Sequence, residues 1–425
     1  MKSNRIAAVA LIAGFTLLPV WLVPPASAVP LTYTQISSGL DHTCALVSDG
    51  SVKCWGLNDY GQLGNNSTTN SSVPVHVSGL TGVTQISTGA HHTCALVSGG
   101  AIKCWGRNDY GQFGNNSTTS SSVPVDGPVL TGVTQISAGG HHTCALVSGG
   151  AVKCWGQGDW GQLGNNSTAD SPVPVDVSSL TGATQISAGY EHTCALVSGV
   201  VKCWGYGYYG QLGNNSTSDS WVPVDVSGIT DATRVAAGGE HACALVSGGG
   251  AKCWGLDLEG QLGDNSTTNS SVPVAVWGLT GATGISASLG SNTCAIVASG
   301  GAKCWGRNPY GQLGNGTSGT GTYSSVPVDV VLETTALSIN APRKVAAGRK
   351  AKITGVLSSP DVTCTPSQQV ALLKGTTTVG TATTDATGAY KFTLTIKKKT
   401  TIQVTSAGNV WCAPSASAAT TIRAV

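Results

Sequence analysis

Charge is scarce in this chain of 425 residues, where 22 lysines and arginines and 20 aspartates and glutamates make up only a tenth of the total. That scarcity, beside 58 glycines, fits turns and packed strands better than helices. Long apolar runs are missing beyond the N-terminus, so no later stretch is expected to span a bilayer. The signatures of catalysis are also lacking: there is no phosphate-cradling loop, paired-carboxylate geometry or serine nucleophile motif. The expectation is a protein that is not an enzyme and needs no cofactor. Positive charge is in deficit over residues 29–331, with 9 basic against 17 acidic side chains, which argues against nucleic acid as a partner. The balance reverses over 332–425, where 11 basic side chains face 3 acidic ones.

The one long apolar run, Ile6 to Val23, follows Lys2 and Arg5 and precedes Ala26-Ser27-Ala28. That order reads as an export signal over 1–28, giving a secreted or extracellular protein, possible cell-surface association included, with no span left after cleavage. An uncleaved anchor is the competing reading, and Pro19 inside the run counts against it.

What the chain has is repetition. HTCALVSDGSVKCWG at 42–56 returns five more times with small changes, at a period of 49 to 51 residues. Each unit reads as four short strands, in the first near Gln35–Ser37, Thr43–Val47, Val52–Gly56 and Val73–Val77. Four antiparallel strands per repeat make the blade of a β-propeller. The end units keep the apolar pattern of the middle ones, whereas an open array needs polar caps. The fold class expected is therefore all-β: a closed propeller of six four-stranded blades over 29–331, with a degenerate seventh blade as the weaker alternative.

Cysteines recur in pairs: Cys44 and Cys54, Cys94 and Cys104, Cys144 and Cys154, Cys194 and Cys203, Cys243 and Cys253, and Cys294 and Cys304. Five pairs flank a three-residue loop ending in Gly50, Gly100, Gly150, Gly249 or Gly300, and the fourth flanks the two-residue loop Ser198-Gly199. Counting outward puts every pair at a narrow, non-hydrogen-bonded position fit for a disulfide. A metal site is the alternative, because His42, His92, His142, His192 and His241 each lie two residues before a cysteine. Unit six has Asn292 there and keeps both cysteines, which favours disulfides and no metal. Each staple is expected to contribute about 2.5 kcal/mol by loop-closure entropy. The histidines are then expected to hydrogen-bond strand backbone within their own blade. Trp55, Trp105, Trp155, Trp204, Trp254 and Trp305 are expected to pack blade on blade. The Asn-Asn-Ser-Thr stretches match a glycosylation acceptor and also suit a polar turn.

The unit GLDHTCALVSDGSVKCWGLNDYGQLG, with its Gly-x-x-His, hairpin, Trp-Gly and Gly-Gln-Leu-Gly, resembles the regulator of chromosome condensation repeat. The resemblance covers about 35–331 in six units and implies a β-propeller, in a family whose rings usually have seven blades. The chain is also similar to the bacterial propeller-type β-lactamase inhibitory proteins, which are secreted and present aromatic and acidic loop residues to their targets.

Two places differ between units: the pair before the histidine, and the four residues after Trp-Gly. In a four-stranded meander both emerge at one end, so they should share a face of the ring. Tyr60, Arg107, Tyr110, Trp160, Tyr190, Glu191, Tyr208, Tyr209, Glu259, Arg307 and Tyr310 are the partner-binding residues this predicts, accompanied by acids including Asp59, Asp109, Asp159, Glu240 and Asp257. Rigid aromatics beside polar groups suit an extracellular protein partner. The alternative is a cell-surface glycan, held by stacking and hydroxyl bonding, and a structural reading has each aromatic packing on the next blade.

Beyond 331, alternating runs such as AKITGVL, QQVALLKG, GAYKFTLTI and TTIQVTS read as a small β-sandwich over 332–425. It resembles bacterial immunoglobulin-like or prealbumin-like modules, and Cys364 and Cys412 are expected to pin it. Its basic residues, Arg343, Lys344, Arg349, Lys350, Lys352 and Lys397 to Lys399, form either a solvated surface or a site for anionic wall polymers.

Overall fold

A computed structural model describes residues 32–331, 335–359, 367–408 and 415–425, and strands are the only regular elements among them. The first sheet is a meander of β1 (Tyr33–Ser38), β2 (His42–Val47), β3 (Val52–Gly56) and β4 (Ser71–His76). Five more four-stranded antiparallel meanders follow, the last closing with Tyr323–Asp329. The fourth strand starts two residues before the expected Val73, because Ser71 pairs with Gly56 across a bulge.

The hairpin explains the staples. Cys44 stands directly opposite Cys54 on the neighbouring strand. The same register sets Cys94 against Cys104, Cys144 against Cys154, and Cys194 against Cys203. It also sets Cys243 against Cys253 and Cys294 against Cys304. All six disulfides are formed, with Cα atoms 4.0–4.1 Å apart, so each expected pair within the repeats is found. In the shortened fourth unit, Ser198 and Gly199 both take positive φ, 49° and 84°, the conformation a two-residue hairpin loop requires. The expected pairing of Cys364 with Cys412 lies outside the described residues, as does the expected export signal over 1–28.

Neighbouring sheets are joined by a hydrogen-bonded relay. His42 Nε2 lies 2.8 Å from Thr93 Oγ1 on the second blade, and that hydroxyl donates back to the Gln62 carbonyl of the first at 3.1 Å. The same carbonyl accepts the Trp105 indole N–H at 2.9 Å. A threonine hydroxyl has one proton, so giving it to Gln62 means accepting from histidine, which fixes the ring as the Nε2–H tautomer. The expectation that these histidines bond backbone in their own blade is thus corrected: the partner is a hydroxyl on the next blade. Burial holds His42 and His142 down to about 3, so they stay neutral at physiological pH. Packing outweighs the bonds in energy. Trp105, Trp155, Trp204, Trp254 and Trp305 are fully buried against the preceding blade, each contributing about 4 kcal/mol of apolar burial against about 1 kcal/mol per neutral hydrogen bond.

One junction has a broken relay. Ala242 stands where the other receiving blades have threonine, and both ring nitrogens of the buried His192 lack a partner.

The closed ring expected from the sequence is not found, because the sixth-to-first junction lacks the contacts the other five share. Ile36 is 65% exposed while its counterpart Ile86 is 1% exposed, and Ile296 is 57% exposed where Leu46 is 6%. Trp55 is only half-buried. The sixth blade differs where a next blade would dock. At Gly39, Gly89, Gly139, Gly189 and Gly238 an added Cβ would meet the following blade's carbonyl at 2.2–2.7 Å, yet unit six has Ser288 there. Asn292 replaces the relay histidine and bonds Ser288 instead. Gly284 replaces the glutamine whose side chain clamps the next first strand, as Gln35 does to Ile86 in both directions at 3.0 Å. A cavity of about 650 Å³ runs along the first strands, through Ser37, Thr88, Ser187 and Ser286, and reaches Leu40, Asp41, Arg307 and Tyr310 of the end blades.

In the C-terminal part, Ala336–Leu337, Arg349–Ser358 and Ala389–Ile396 form one sheet. Lys344–Val345, Gln369–Lys374, Thr377–Thr383, Thr400–Ser406, Ser415–Ala416 and Thr420–Ala424 form a second. Ile353, Phe392 and Ile396 of the first share a core with Val370, Leu372, Ile402, Val404 and Ile422 of the second. The expected boundary at 331/332 falls against residues 332–334, which are outside the described set.

Replacing Ala242 with threonine should restore the missing relay and raise unfolding stability by about 1 kcal/mol, measured by urea denaturation. His142→Asn should lower stability by about 1–2 kcal/mol, whereas Asn292→His should change it by less than about 0.5 kcal/mol because the open seam keeps Thr43 of the first blade out of its contact. A gain from Asn292→His comparable to the loss at 142 would mean that the ring closes in solution.

Candidate recognition face

The two variable loops of each blade are tied together by backbone. The residue after Trp-Gly donates its N–H to the carbonyl of the residue before the histidine: Leu57 to Asp41 and Arg107 to His91 at 2.8 Å, and Tyr206 to Glu191 at 2.9 Å. The residue before each Gly-Gln is held by the glutamine side chain, as Tyr60 N–H is by Gln62 Oε1 and Trp160 N–H by Gln162 Oε1, both at 2.9 Å. Variable side chains thus sit on a fixed backbone.

The expected residues fall into three patches. In the first, Tyr60 packs on His91 and Tyr110 on His141, each at 5.4 Å between ring centroids. Tyr190 meets His141 edge-on at 5.5 Å. The Arg107 guanidinium lies 5.1 Å from the Tyr60 ring and 5.6 Å from Tyr110, and its Nε donates to Asp109 at 2.8 Å. Burial and the neighbouring Arg107 charge lower the pKa of both histidines, His141 to about 4.

The second patch holds Trp160, Tyr208 and Tyr209 around Tyr206, with half-buried Glu191 and Glu240 beneath. Burial and the adjacent Glu191 push Glu240 up to about 7, although Gln211 Nε2 donates to it at 2.9 Å. Tyr206 was not singled out from the sequence. The signal lay in its repeat column, where it takes the place of Leu57, Arg107, Gln157, Leu256 and Arg307. In the third patch Arg307 Nε pairs with Glu259 at 3.3 Å, while Tyr310 stands apart and 87% exposed.

Asp257 does not belong with the rim acids. It is fully buried at a position where other units carry Asn58, Asn108 and Asn308, and it accepts the Leu262 N–H at 2.8 Å. Asn58 also donates, to the Ser67 and Thr69 carbonyls, which an ionised carboxylate cannot do. Asp257 Oδ2 has no partner, and burial raises its pKa to about 7.

Among the described residues no group of three or more His, Cys, Asp or Glu is placed to hold a metal. The C-terminal basic residues are exposed, and Lys374, Lys397 and Lys398 line a hollow of about 330 Å³.

Two family models described as the regulator of chromosome condensation repeat match residues 49–96, 100–146, 150–196 and 198–245, and 33–62, 83–112, 133–162, 183–211 and 232–261. Together they run from 33 to 261, more than half of the chain. The chain belongs to this family. The family match stops short of the sixth blade, the one carrying Gly284, Ser288 and Asn292. Among solved structures, Prp20p from Saccharomyces cerevisiae is similar at 23% identity over 70% of this chain and 76% of that one, with a TM-score of 0.62. Human WBSCR16 is similar at 25% identity over 72% and 83%, with a TM-score of 0.63. The yeast protein has been studied for its binding to Gsp1p and histones. No curated protein matches the chain.

Asp257→Asn should stabilise the protein more as pH rises. The folded state holds the Asp257 proton more tightly than the unfolded chain does, so stability is lost as pH climbs through the folded value of about 7. Melting of the two proteins should nearly coincide at pH 4 and separate by a few degrees at pH 8, and an equal gap at both pH values would refute this assignment.

Proposed function

We propose that the chain is a secreted, non-enzymatic binding protein whose variable loops recognise an extracellular protein. The observation that carries the reading is the gathering of Trp160, Tyr206, Tyr208 and Tyr209 at solvent, with Tyr208 64% and Trp160 38% exposed. Tyrosine and tryptophan bring large contact area at small entropic cost, which is why they anchor protein interfaces. The six disulfides, five of them fully buried, are in keeping with an oxidising compartment. The sandwich at the C-terminus is read as an immunoglobulin-like or prealbumin-like module, and its basic surface as a point of attachment to anionic wall polymers. The likeness to propeller-type β-lactamase inhibitory proteins supports the binding mode and leaves the target open.

The test is capture of a partner from the growth medium, run beside a glycan array, with Trp160→Ala and Tyr208→Ala as variants. Hot-spot loss of about 2 kcal/mol predicts about thirtyfold weaker capture of a protein partner. Saturable glycan binding lost in the same variants would move the face to the carbohydrate reading. Capture unaffected by either variant would remove this face from the function.

A further inference from the structure

The rim handles its aromatic and acidic clusters unequally. Arg107 lies over the rings of Tyr60 and Tyr110, and Arg307 pairs with Glu259. The second patch has four rings and two carboxylates, yet the repeat position that supplies arginine in units two and six supplies Tyr206. Among the described residues Glu191 and Glu240 have no cationic partner.

We propose that Trp160, Tyr206, Tyr208 and Tyr209, with Glu191 and Glu240, receive one protonated lysine or arginine side chain from a basic segment of the partner. This rests on the reading of the face as a recognition surface and names the chemistry it selects. Trp160 meets Tyr206 at 4.9 Å and 58°, Tyr209 meets Tyr206 at 6.2 Å and 81°, and Tyr208 meets Tyr209 at 5.1 Å and 85°. Tyr206 and Tyr208 lie nearly parallel at 6.3 Å and 16°, so the four rings stand at mixed angles beside the carboxylates, and ring faces attract a cation. Gln211 Nε2 holds the Glu240 carboxylate at 2.9 Å, and Glu191, half-buried beside it, is tied at its backbone carbonyl by the Tyr206 N–H. Glu240 faces Glu191, Tyr190 and Tyr206, none of which brings positive charge. Its raised pKa is the cost of that arrangement, and an arriving cation removes it. A quaternary ammonium could use only the rings, whereas lysine and arginine also donate hydrogen bonds to the carboxylates.

The experiment is isothermal titration of the full chain at pH 8 and low salt with blocked, glycine-flanked peptides carrying one lysine, one arginine or one norleucine. Tetramethylammonium chloride is a separate titrant. The lysine and arginine peptides should bind with a dissociation constant on the order of 1 mM, and norleucine and tetramethylammonium at least about tenfold more weakly. Glu240→Gln and Tyr208→Ala should each weaken the lysine peptide by about tenfold, with melting at pH 8 unchanged for Tyr208→Ala and raised by a few degrees for Glu240→Gln, which removes the buried charge. Lowering the pH from 8 to 6 should weaken binding to the native chain far more than to Glu240→Gln, since protonation removes the charge that the cation meets. Equal binding of norleucine, or indifference to both substitutions, overturns the proposal, and tetramethylammonium binding as tightly as lysine overturns the role of the carboxylates. Should the basic peptides fail while a captured partner still depends on Trp160, the cation assignment falls and the recognition face stands. Should partner capture ignore Trp160 too, both fall.

Discussion

Blade-to-blade cohesion depends on one shared acceptor, the glutamine carbonyl of Gly-Gln-Leu-Gly. Gln62 takes the Thr93 hydroxyl and the Trp105 indole at once, and the hydroxyl in turn takes the His42 proton. Two blades are therefore cross-linked in both directions by four groups that are all buried and all oriented by one another. The indole must reach the carbonyl, which sets the third strand against the neighbouring loop, and the loop in turn fixes where the rim aromatic begins. Disulfides act at right angles to this, within a blade, holding the two middle strands in register so that histidine and tryptophan arrive at the same height.

The same logic accounts for the two ends. A side chain that reaches into the next blade is costly without one, since a buried or half-buried polar group then lacks its partner. Unit six has lost two such groups, with Gly284 at the glutamine position and Asn292 at the histidine position, and Ser288 fills the space that a glycine leaves for the next blade in the other units. Ser288 and Asn292 satisfy each other instead. The first blade, which has only to receive, keeps Thr43 and Trp55 unchanged. An outgoing face that has lost its contacts opposite an incoming face that has kept them leaves the arc open at one seam. Apolar patterning alone could not reveal this, because Ile296 and Ala302 still read as core.

Local relations were readable from the residues. The strand positions, the cysteine register and the shortened fourth loop depend on a period of two and on turn chemistry, both confined to a few neighbours. Relations across 50 residues were not. The histidine partner lies 51 positions away, and only comparison of whole repeat columns shows that Thr93, Thr143 and Thr193 give way to Ala242. The column also carried the signal for Asp257, which occupies an asparagine site and so belongs to the loop interior. The variable loops were brought to one face as expected, but their division into three patches follows from which neighbours carry arginine.

That division follows from how the face is built. Backbone bonds from the loop after Trp-Gly to the loop before the histidine leave the rim side chains little freedom to rearrange, so a carboxylate placed beside another cannot relax away from it. In a soft loop Glu191 and Glu240 would turn outward and both ionise at the cost of a few rotamers. On this scaffold they are held half-buried among rings, and the electrostatic cost stays in the free protein. A fixed cost in the unbound state is relieved only by something that brings the missing charge, so the rigidity supplied by the loop backbone bonds, and by the Trp254 indole on the Gln211 carbonyl at this junction, is what makes the second patch selective.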